Sequence, residues 1–267
     1  MTVSDKKKLL EDNLKSMGRI VVAFSAGVDS TYLLMTAREV LGENVTALLV
    51  RSCLIPDSEI CEAESFCREQ GIEIITLDYD PLAMEEFCNN SKERCYICKK
   101  ALFSLILKKA EEIGADTVAE GTNADDEFDY RPGMKALKEL GIRSPLKEAG
   151  LTKEEIRKLS EAAGLNTWNK PSFACLATRI PQGDRITAEG LLRIEKAEDF
   201  LKSLGLKQYR VRTHGNLARI EVIPQDMGYI MRDDVRLCID ARFRELGYRY
   251  VSVDIRGYRT GNMNLPS

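Results

Sequence analysis

From Ile20 onward the chain alternates short apolar runs of strand length with longer stretches of helical spacing. Ile20 to Phe24 (IVVAF) is a β-branched run that ends in Ser-Ala-Gly, and TYLLMTAREVL follows with helical periodicity. The pattern predicts strand, tight loop, helix. It repeats with VTALLV at Val45 to Val50, a helix over Ser58 to Gln70, IEIITL at Ile72 to Leu77, LFSLILKKAEEIG as a helix and DTVAEG as a strand. Repeated βα units predict an α/β fold, a Rossmann-like parallel sheet with helices on both faces. In such sheets ligands bind beyond the carboxyl ends of the strands, so the loops starting at Ser25, Arg51, Asp78 and Gly121 are expected to converge on one site.

A further helix, Thr152 to Ala163, carries a capping box, with Thr152 as N-cap, Glu155 three residues on and Gly164 as C-cap. The domain boundary is placed just after it, giving a first domain at 1–165 and a second at 166–267. Beyond it come the loop NKPSFACLATRIPQG, a helix around Ala188 to Leu204, strands near Gln208 to Thr213 and Leu217 to Ile223, another helix, and a strand at Tyr250 to Ile255. This reads as a smaller C-terminal α+β domain. No internal repeat or low-complexity tract is visible, and the tail GNMNLPS is expected to fray.

Composition narrows the class. The 267 residues are 44% apolar and 30% charged, which is ordinary for a globular chain and excludes disorder or a small disulfide scaffold. The start, MTVSDKKKLLEDNLKSMGR, lacks the apolar core of a secretory signal, and no later run approaches a membrane span, so a cytoplasmic protein without a membrane partner is expected. Net charge is -3, but it is uneven: residues from Asn166 onward hold 17 basic and 12 acidic side chains, net +5, and the rest is -8. A basic C-terminal part suggests an anionic ligand there. The single histidine, His214, leaves little room for histidine catalysis.

SAGVDS, Ser25 to Ser30, lies between a buried strand and a helix, so its backbone N–H groups and the positive helix end point at whatever anion enters. A carboxylate at Asp29 repels phosphate unless a magnesium ion lies between them, which suits a nucleotide–metal complex. The plainer reading is a helix start capped by Asp29 and Ser30. FSAGVDS resembles the SGGxDS pyrophosphatase loop of the N-type ATP pyrophosphatases, with Ala26 in place of the first glycine. There is no GK[ST], so the loop is not of the Walker type. The resemblance implies adenylation of an acceptor oxygen, with pyrophosphate as a metal-stabilised leaving group.

Eight cysteines suit a reducing compartment. Cys53, Cys61, Cys67, Cys88 and Cys238 read as small buried hydrophobes. Cys95 and Cys98 form a CxxC between two helices, flanked by Arg94, Lys99 and Lys100, which favour thiolates. The pair fits a redox couple, half a zinc site, or two of three ligands to an iron–sulfur cluster. Cys175 sits in a polar loop with Lys170 and Arg179 nearby, where a thiol has no packing duty. Arg210 and Arg212 alternate on YRVRTHG, share one strand face, and with Arg179 are candidates to clamp a phosphate or carboxylate. A solvated basic strand is the plainer alternative. Glu195 and Glu198 read as solvated helix positions.

The phosphate loop, ERCYICKKALF, EGTNADDEFDYRPG, RSPLKEAGLTKEEIRKLSEAAGL, NKPSFACLATRIP and YRVRTHGNLARIEV occur in this order across nearly the whole chain. Together they resemble the LarE family, ATP-dependent sulfur transferases that help build the nickel-pincer nucleotide cofactor of lactate racemase. The resemblance implies adenylation of pyridinium-3,5-biscarboxylic acid mononucleotide and conversion of its carboxylates to thiocarboxylates. It implies that Ser25, Gly27, Asp29 and Ser30 bind ATP and its Mg2+, with Gly121 and Glu127 near the same pocket. Cys175 matches the sulfur-bearing cysteine, which in one form of the family is sacrificed to dehydroalanine. Because Cys95 and Cys98 are both present, the resemblance implies the second form, in which three cysteines hold a 4Fe-4S cluster. A homo-oligomer, a hexamer by resemblance, and a sulfide donor are the implied partners.

Three rivals stand beside this reading. A tRNA thiolation enzyme needs a broad basic surface, against a sequence pI of about 5.6, so nucleic acid is not the expected partner. An amidotransferase-type ligase has no use for Cys175. A nucleotide sensor with a structural CxxC would not turn ATP over to AMP and pyrophosphate.

Overall fold

The computed structural model of the protein describes residues 1–128, 132–171 and 174–259. In chain order its elements are α1 (Val3–Lys15), β1 (Ile20–Phe24), α2 (Val28–Leu41), β2 (Val45–Arg51), α3 (Asp57–Glu69), β3 (Glu73–Asp78), α4 (Glu85–Cys88), α5 (Arg94–Glu112), β4 (Thr117–Ala119), α6 (Pro132–Glu139), α7 (Pro145–Glu148), α8 (Lys153–Ala162), α9 (Ala188–Ser203), β5 (Tyr209–His214), β6 (Leu217–Val222), α10 (Pro224–Ile230), α11 (Asp233–Glu245) and β7 (Tyr250–Val253). They divide into two compact units, Met1–Asp80 with Glu93–Phe173, and Pro81–Lys92 with Ala174–Ser267. Among the described residues no helix is long and apolar enough to cross a membrane.

The first unit is the expected α/β structure. Four strands lie in the order β3-β2-β1-β4, every pair parallel, so all four carboxyl ends share one edge. Strand alternation sorts the side chains of β1: Ile20, Val22 and Phe24 join a core with α1, α2, α3 and α8, while Val21 joins one with Phe103, Ile106 and Ala110 of α5 and Leu137 of α6. Helices therefore cover both faces. α8 begins with the predicted capping box of Thr152 and Glu155, and Gly164 follows it with φ +69°. α1 has no counterpart among the predicted elements. Its apolar signal is mainly Leu10 and Leu14, one turn apart and fully buried in a run otherwise dominated by charge.

The chain runs from β1 to β2 to β3 in one direction, then returns to place β4 on the other side of β1. That reversal is a topological switch point, and it opens a crevice between the loops that leave β1 and β4. Those loops begin at Ser25 and Glu120.

The second unit is a mixed three-stranded sheet, β5-β6-β7, with β5 and β6 antiparallel and β6 and β7 parallel. Gly215, at φ +58°, supplies the left-handed position that the two-residue turn between β5 and β6 needs. One sheet face, with Tyr209, Val211, Ala218, Ile220 and Val222, packs with Ala197 and Leu201 of α9 and Val235, Ile239 and Phe243 of α11. Residues 81–92 belong to this unit through Asn90, which is fully buried at φ +52°. Its side-chain amide donates to the carbonyls of Pro181 and Asp184 at 2.7 and 2.9 Å, and its own carbonyl accepts from Gly183 N–H. Asparagine tolerates that backbone region better than most residues.

Glu198 departs from the sequence reading. It is 4% exposed, on the buried stripe of α9 with Ile194, Ala197 and Leu201. Its carboxylate receives the guanidinium of Arg179, itself fully buried, through two bonds of 2.9 and 2.8 Å, and also accepts Val211 N–H. Burying both charges costs much of what their attraction returns, but removing one partner strands the other. Glu198→Ala should therefore lower unfolding stability by about 3–5 kcal/mol in a denaturant titration; Glu195, read as solvated, is half-buried.

Candidate nucleotide and sulfur site

The loop after β1 is built on two serines. Ser30 Oγ lies 3.0 Å from Ser25 Oγ, accepts Ser25 N–H at 3.3 Å and donates to the Gly27 carbonyl at 3.2 Å. This ties the loop to the first turn of α2. Gly27 is the N-cap and offers no side chain, so the leading N–H groups of α2 are not occupied by a capping side chain. Ala26, the departure from the glycine of the resembled motif, sits at φ +52°. A non-glycine residue there costs roughly 1–2 kcal/mol, strain stored in the loop itself.

Gly121, just beyond β4, lies directly against this turn. A Cβ at position 121 would come within 2.9 Å of Ser30 N and 3.2 Å of Ser30 Cα, both backbone. Only glycine lets the two strand ends approach so closely. The next residues are fixed by their own polar groups: Glu120, 8% exposed, accepts from Thr122 N–H, Thr122 Oγ1 and Ser144 Oγ, and Asn123 Oδ1 accepts Asp125 N–H. Thus Ser25, Gly27, Asp29, Ser30 and Gly121 come together at the switch point. The side chain of Glu127 lies outside the described residues.

Asp29 projects from the first turn of α2. One oxygen meets Lys153 Nζ at 2.5 Å; the other, Oδ1, is buried with no hydrogen-bond partner among the described residues. Burial pushes the carboxyl above its ordinary range and Asp126 adds to the shift, against the pull of Lys153 and Arg157. A half-buried carboxylate with an unsatisfied oxygen, beside a helix start, is a donor suited to a magnesium ion carried by a nucleotide.

The CxxC is not between two helices. It forms the first turn of α5, because RCYICKKALF contains no glycine or proline and its helical pattern simply extends toward the N-terminus. At i and i+3, Cys95 and Cys98 share one face, both half-buried. Arg94 Nη2 is 3.8 Å from Cys95 Sγ, and Tyr79 Oη donates to the Cys98 carbonyl at 3.1 Å and lies 3.6 Å from its sulfur. Burial, then the neighbouring Cys98, push the Tyr79 hydroxyl well above its ordinary value, so it stays a donor. No disulfide forms among the eight cysteines. Cys67 and Cys88 are buried as expected, but Cys53, Cys61 and Cys238 are exposed, since each falls on a polar side of its segment.

In the second unit Cys175 is half-buried and precedes a 3-10 turn at Leu176–Arg179. Its carbonyl accepts from Thr178 Oγ1 at 2.8 Å and from Arg179 at 3.2 Å, and Arg179 also donates to the Ala174 carbonyl at 2.7 Å. Arg179 thus holds the backbone of the cysteine loop rather than facing solvent. Arg210 and Arg212 do share a strand face, but they are 3% and 5% exposed, so this is no solvated basic strand. Arg212 bonds Glu221 at 3.0 Å and the Thr178 carbonyl at 3.0 Å, while its Nε is buried with no hydrogen-bond partner among the described residues. Arg210 donates to the Tyr209 carbonyl at 2.6 Å and lies over the Tyr258 ring at 5.1 Å. Burial, and then the nearby Arg179, lower its hold on the proton.

Among the described residues no group of three His, Cys, Asp or Glu side chains is placed to hold a metal ion. Cys95 and Cys98 lie in the first unit and Cys175 in the second. Three thiols are nonetheless the donor chemistry an iron–sulfur cluster takes. The sequence reading missed Lys153, Tyr79 and Glu198. For Lys153 a signal existed: a cation directly after the N-cap opposes the helix dipole, so some other duty must hold it there.

No family profile matches the chain. Individual relatives do. The chain is 38% identical to pyridinium-3,5-bisthiocarboxylic acid mononucleotide synthase of Lactiplantibacillus plantarum over 98% of its own length and 95% of that protein. An uncharacterized protein of Synechocystis is 36% identical over 98% of both chains. More distantly, tRNA-specific 2-thiouridylase of Rickettsia africae is 27% identical over 67% of this chain and 59% of that one. The near-complete span of the first likeness, together with the phosphate loop at the switch point of a parallel sheet, shows that the chain belongs to the LarE family of ATP-dependent sulfur transferases, within the PP-loop superfamily.

Proposed function

We propose that the protein adenylates the carboxylates of pyridinium-3,5-biscarboxylic acid mononucleotide and converts them to thiocarboxylates for the nickel-pincer nucleotide cofactor. The observation that carries the reading is the loop at the switch point, where the buried, unsatisfied oxygen of Asp29 stands beside the uncapped start of α2. ATP binds there through Ser25, Gly27, Ser30 and Gly121, with Glu127 nearby, and Asp29 holds its Mg2+. A carboxylate is a poor electrophile. Its oxygen attacks the α-phosphorus, pyrophosphate leaves, and the resulting acyl-adenylate carries AMP as a good leaving group. Sulfide then adds at the acyl carbon and displaces AMP, giving the thiocarboxylate; two rounds give the bis product.

The substrate's phosphate or carboxylate is recognised by Arg210 and Arg212, while Arg179, fully buried on Glu198 and the carbonyls of Ala174 and Cys175, sets the cysteine loop instead of clamping the anion as the sequence suggested. Support comes from the buried Nε of Arg212, which has no hydrogen-bond partner among the described residues. An anion there would satisfy it. Cys95, Cys98 and Cys175 hold a 4Fe-4S cluster, fed by a sulfide donor. When bound, the cluster supplies a sulfide equivalent at the iron no cysteine ligates. The protein works in the cytoplasm as a homo-oligomer.

Asp29→Ala should cut substrate-dependent pyrophosphate release by about a hundredfold or more; retained release removes the ATP assignment. Gly121→Ala forces a methyl onto the backbone of Ser30, and a fluorescent ATP analogue should bind at least about tenfold more weakly, at a cost of about 1–3 kcal/mol in stability. For sulfur transfer, anaerobic purification with iron and sulfide analysis should find about four iron atoms per chain, lost in each of Cys95→Ala, Cys98→Ala and Cys175→Ala. An iron-free protein whose Cys175 becomes dehydroalanine after one turnover would instead establish the sacrificial route.

A further inference from the structure

We infer that Lys153 is a placeholder for the metal ion at Asp29, neutralising that carboxylate before the nucleotide arrives and turning to the phosphates when the metal takes its place. The inference rests on the ATP reading above and assigns a positioning residue to it.

Three observations carry it. The ammonium of Lys153 sits 2.5 Å from Asp29 Oδ2, the pair bridging two helices 124 positions apart in sequence, with both side chains less than one-third exposed. A carboxylate in that setting repels an incoming triphosphate unless a cation accompanies it, and the cation at hand is this one.

The backbone of Lys153 is anchored independently of its side chain, whose ammonium is held by Asp29. Its N–H donates to Asp125 Oδ2 at 2.8 Å, and the reciprocal capping box of Thr152 and Glu155 fixes the helix start around it. Glu155 is further held by Lys6 at 2.7 Å. Once a metal displaces the ammonium from Asp29, the four-carbon stem has the length to carry it several ångströms without disturbing α8.

A lysine in the first turn also opposes the dipole of α8, whose next two residues, Glu154 and Glu155, follow the usual acidic preference. An ammonium released from Asp29 there gains nothing from the helix and must find another anion. Asp125 already accepts the Lys153 N–H, and the anion that arrives together with the metal is the phosphate chain on the loop at Ser25 to Ser30. The exchange thus keeps charge balanced on both sides, a cation on Asp29 at every stage and an extra cation on the phosphates once they are bound.

The test separates the two roles with Mn2+ alone, followed by the electron paramagnetic resonance of the free ion, and with Mg–ATP by calorimetry. Lys153→Met should bind Mn2+ about tenfold more tightly than wild type, because no ammonium competes, and Mg–ATP about tenfold more weakly, because a charged partner of the phosphates is gone. Lys153→Gln carries the same two expectations should the methionine variant fail to fold, and Lys153→Arg should stay near wild type in the Mn2+ titration. Mn2+ affinity that is unchanged or weakened overturns the placeholder role. Tighter Mn2+ with undiminished Mg–ATP affinity overturns the turn toward phosphate. If wild type itself binds no Mg–ATP, the ATP reading fails, while the Mn2+ titration with an Asp29→Ala control still decides the exchange at Asp29.

Discussion

The backbone after β4 touches the first turn of α2 with no side chain between them, and much of the first unit is arranged to permit that approach. Gly121 makes it sterically possible. The strand order makes it topologically necessary, because β4 pairs with β1 on the side opposite β2 and brings the two loops to one crevice. The polar groups just beyond, Glu120, Thr122, Asn123 and Ser144, are consumed in holding that backbone in place. Phosphate chemistry at such a crevice asks for backbone N–H groups and small residues rather than long side chains, and that is what the two loops offer.

The second unit handles charge in the opposite way. Instead of leaving main-chain donors for a ligand, it buries arginines on one face of a small sheet and matches them with Glu198 and Glu221. Arg212 and Arg219 stand directly opposite each other across β5 and β6, and Glu221 bridges both. Such a network contributes little net stability, since desolvation offsets attraction. It does fix orientation: the same guanidinium that neutralises Glu198 holds the carbonyls of Ala174 and Cys175, so the position of the cysteine loop is set by a buried ion pair.

Much of the first unit was legible because parallel strands buried on both faces leave continuous β-branched runs, and the helices between them are long and periodic. The phosphate loop was legible because its small residues and one carboxylate are local in sequence. What sequence could not supply were pairings that depend on distant chain. Lys153 reads as a surface residue until α8 is seen beside the start of α2, and Glu198 as a solvated glutamate until Arg179 arrives from another segment. The CxxC reads as lying outside α5 because cysteine is a weak helix signal and a helix start without a capping side chain carries no marker. α1 is hidden for a similar reason, two leucines being too little periodicity to stand out from charge.

The attachment of residues 81–92 to the second unit, through the buried amide of Asn90, has a bearing on how this chain can be taken apart. A fragment beginning after residue 173 would contain every strand of the small sheet yet leave the carbonyls of Pro181 and Asp184 without the donor that holds them. The second unit is therefore discontinuous along the chain. It is a poor candidate for transfer to another protein by simple fusion, and recombination points that respect it must carry the short internal segment along with the C-terminal part.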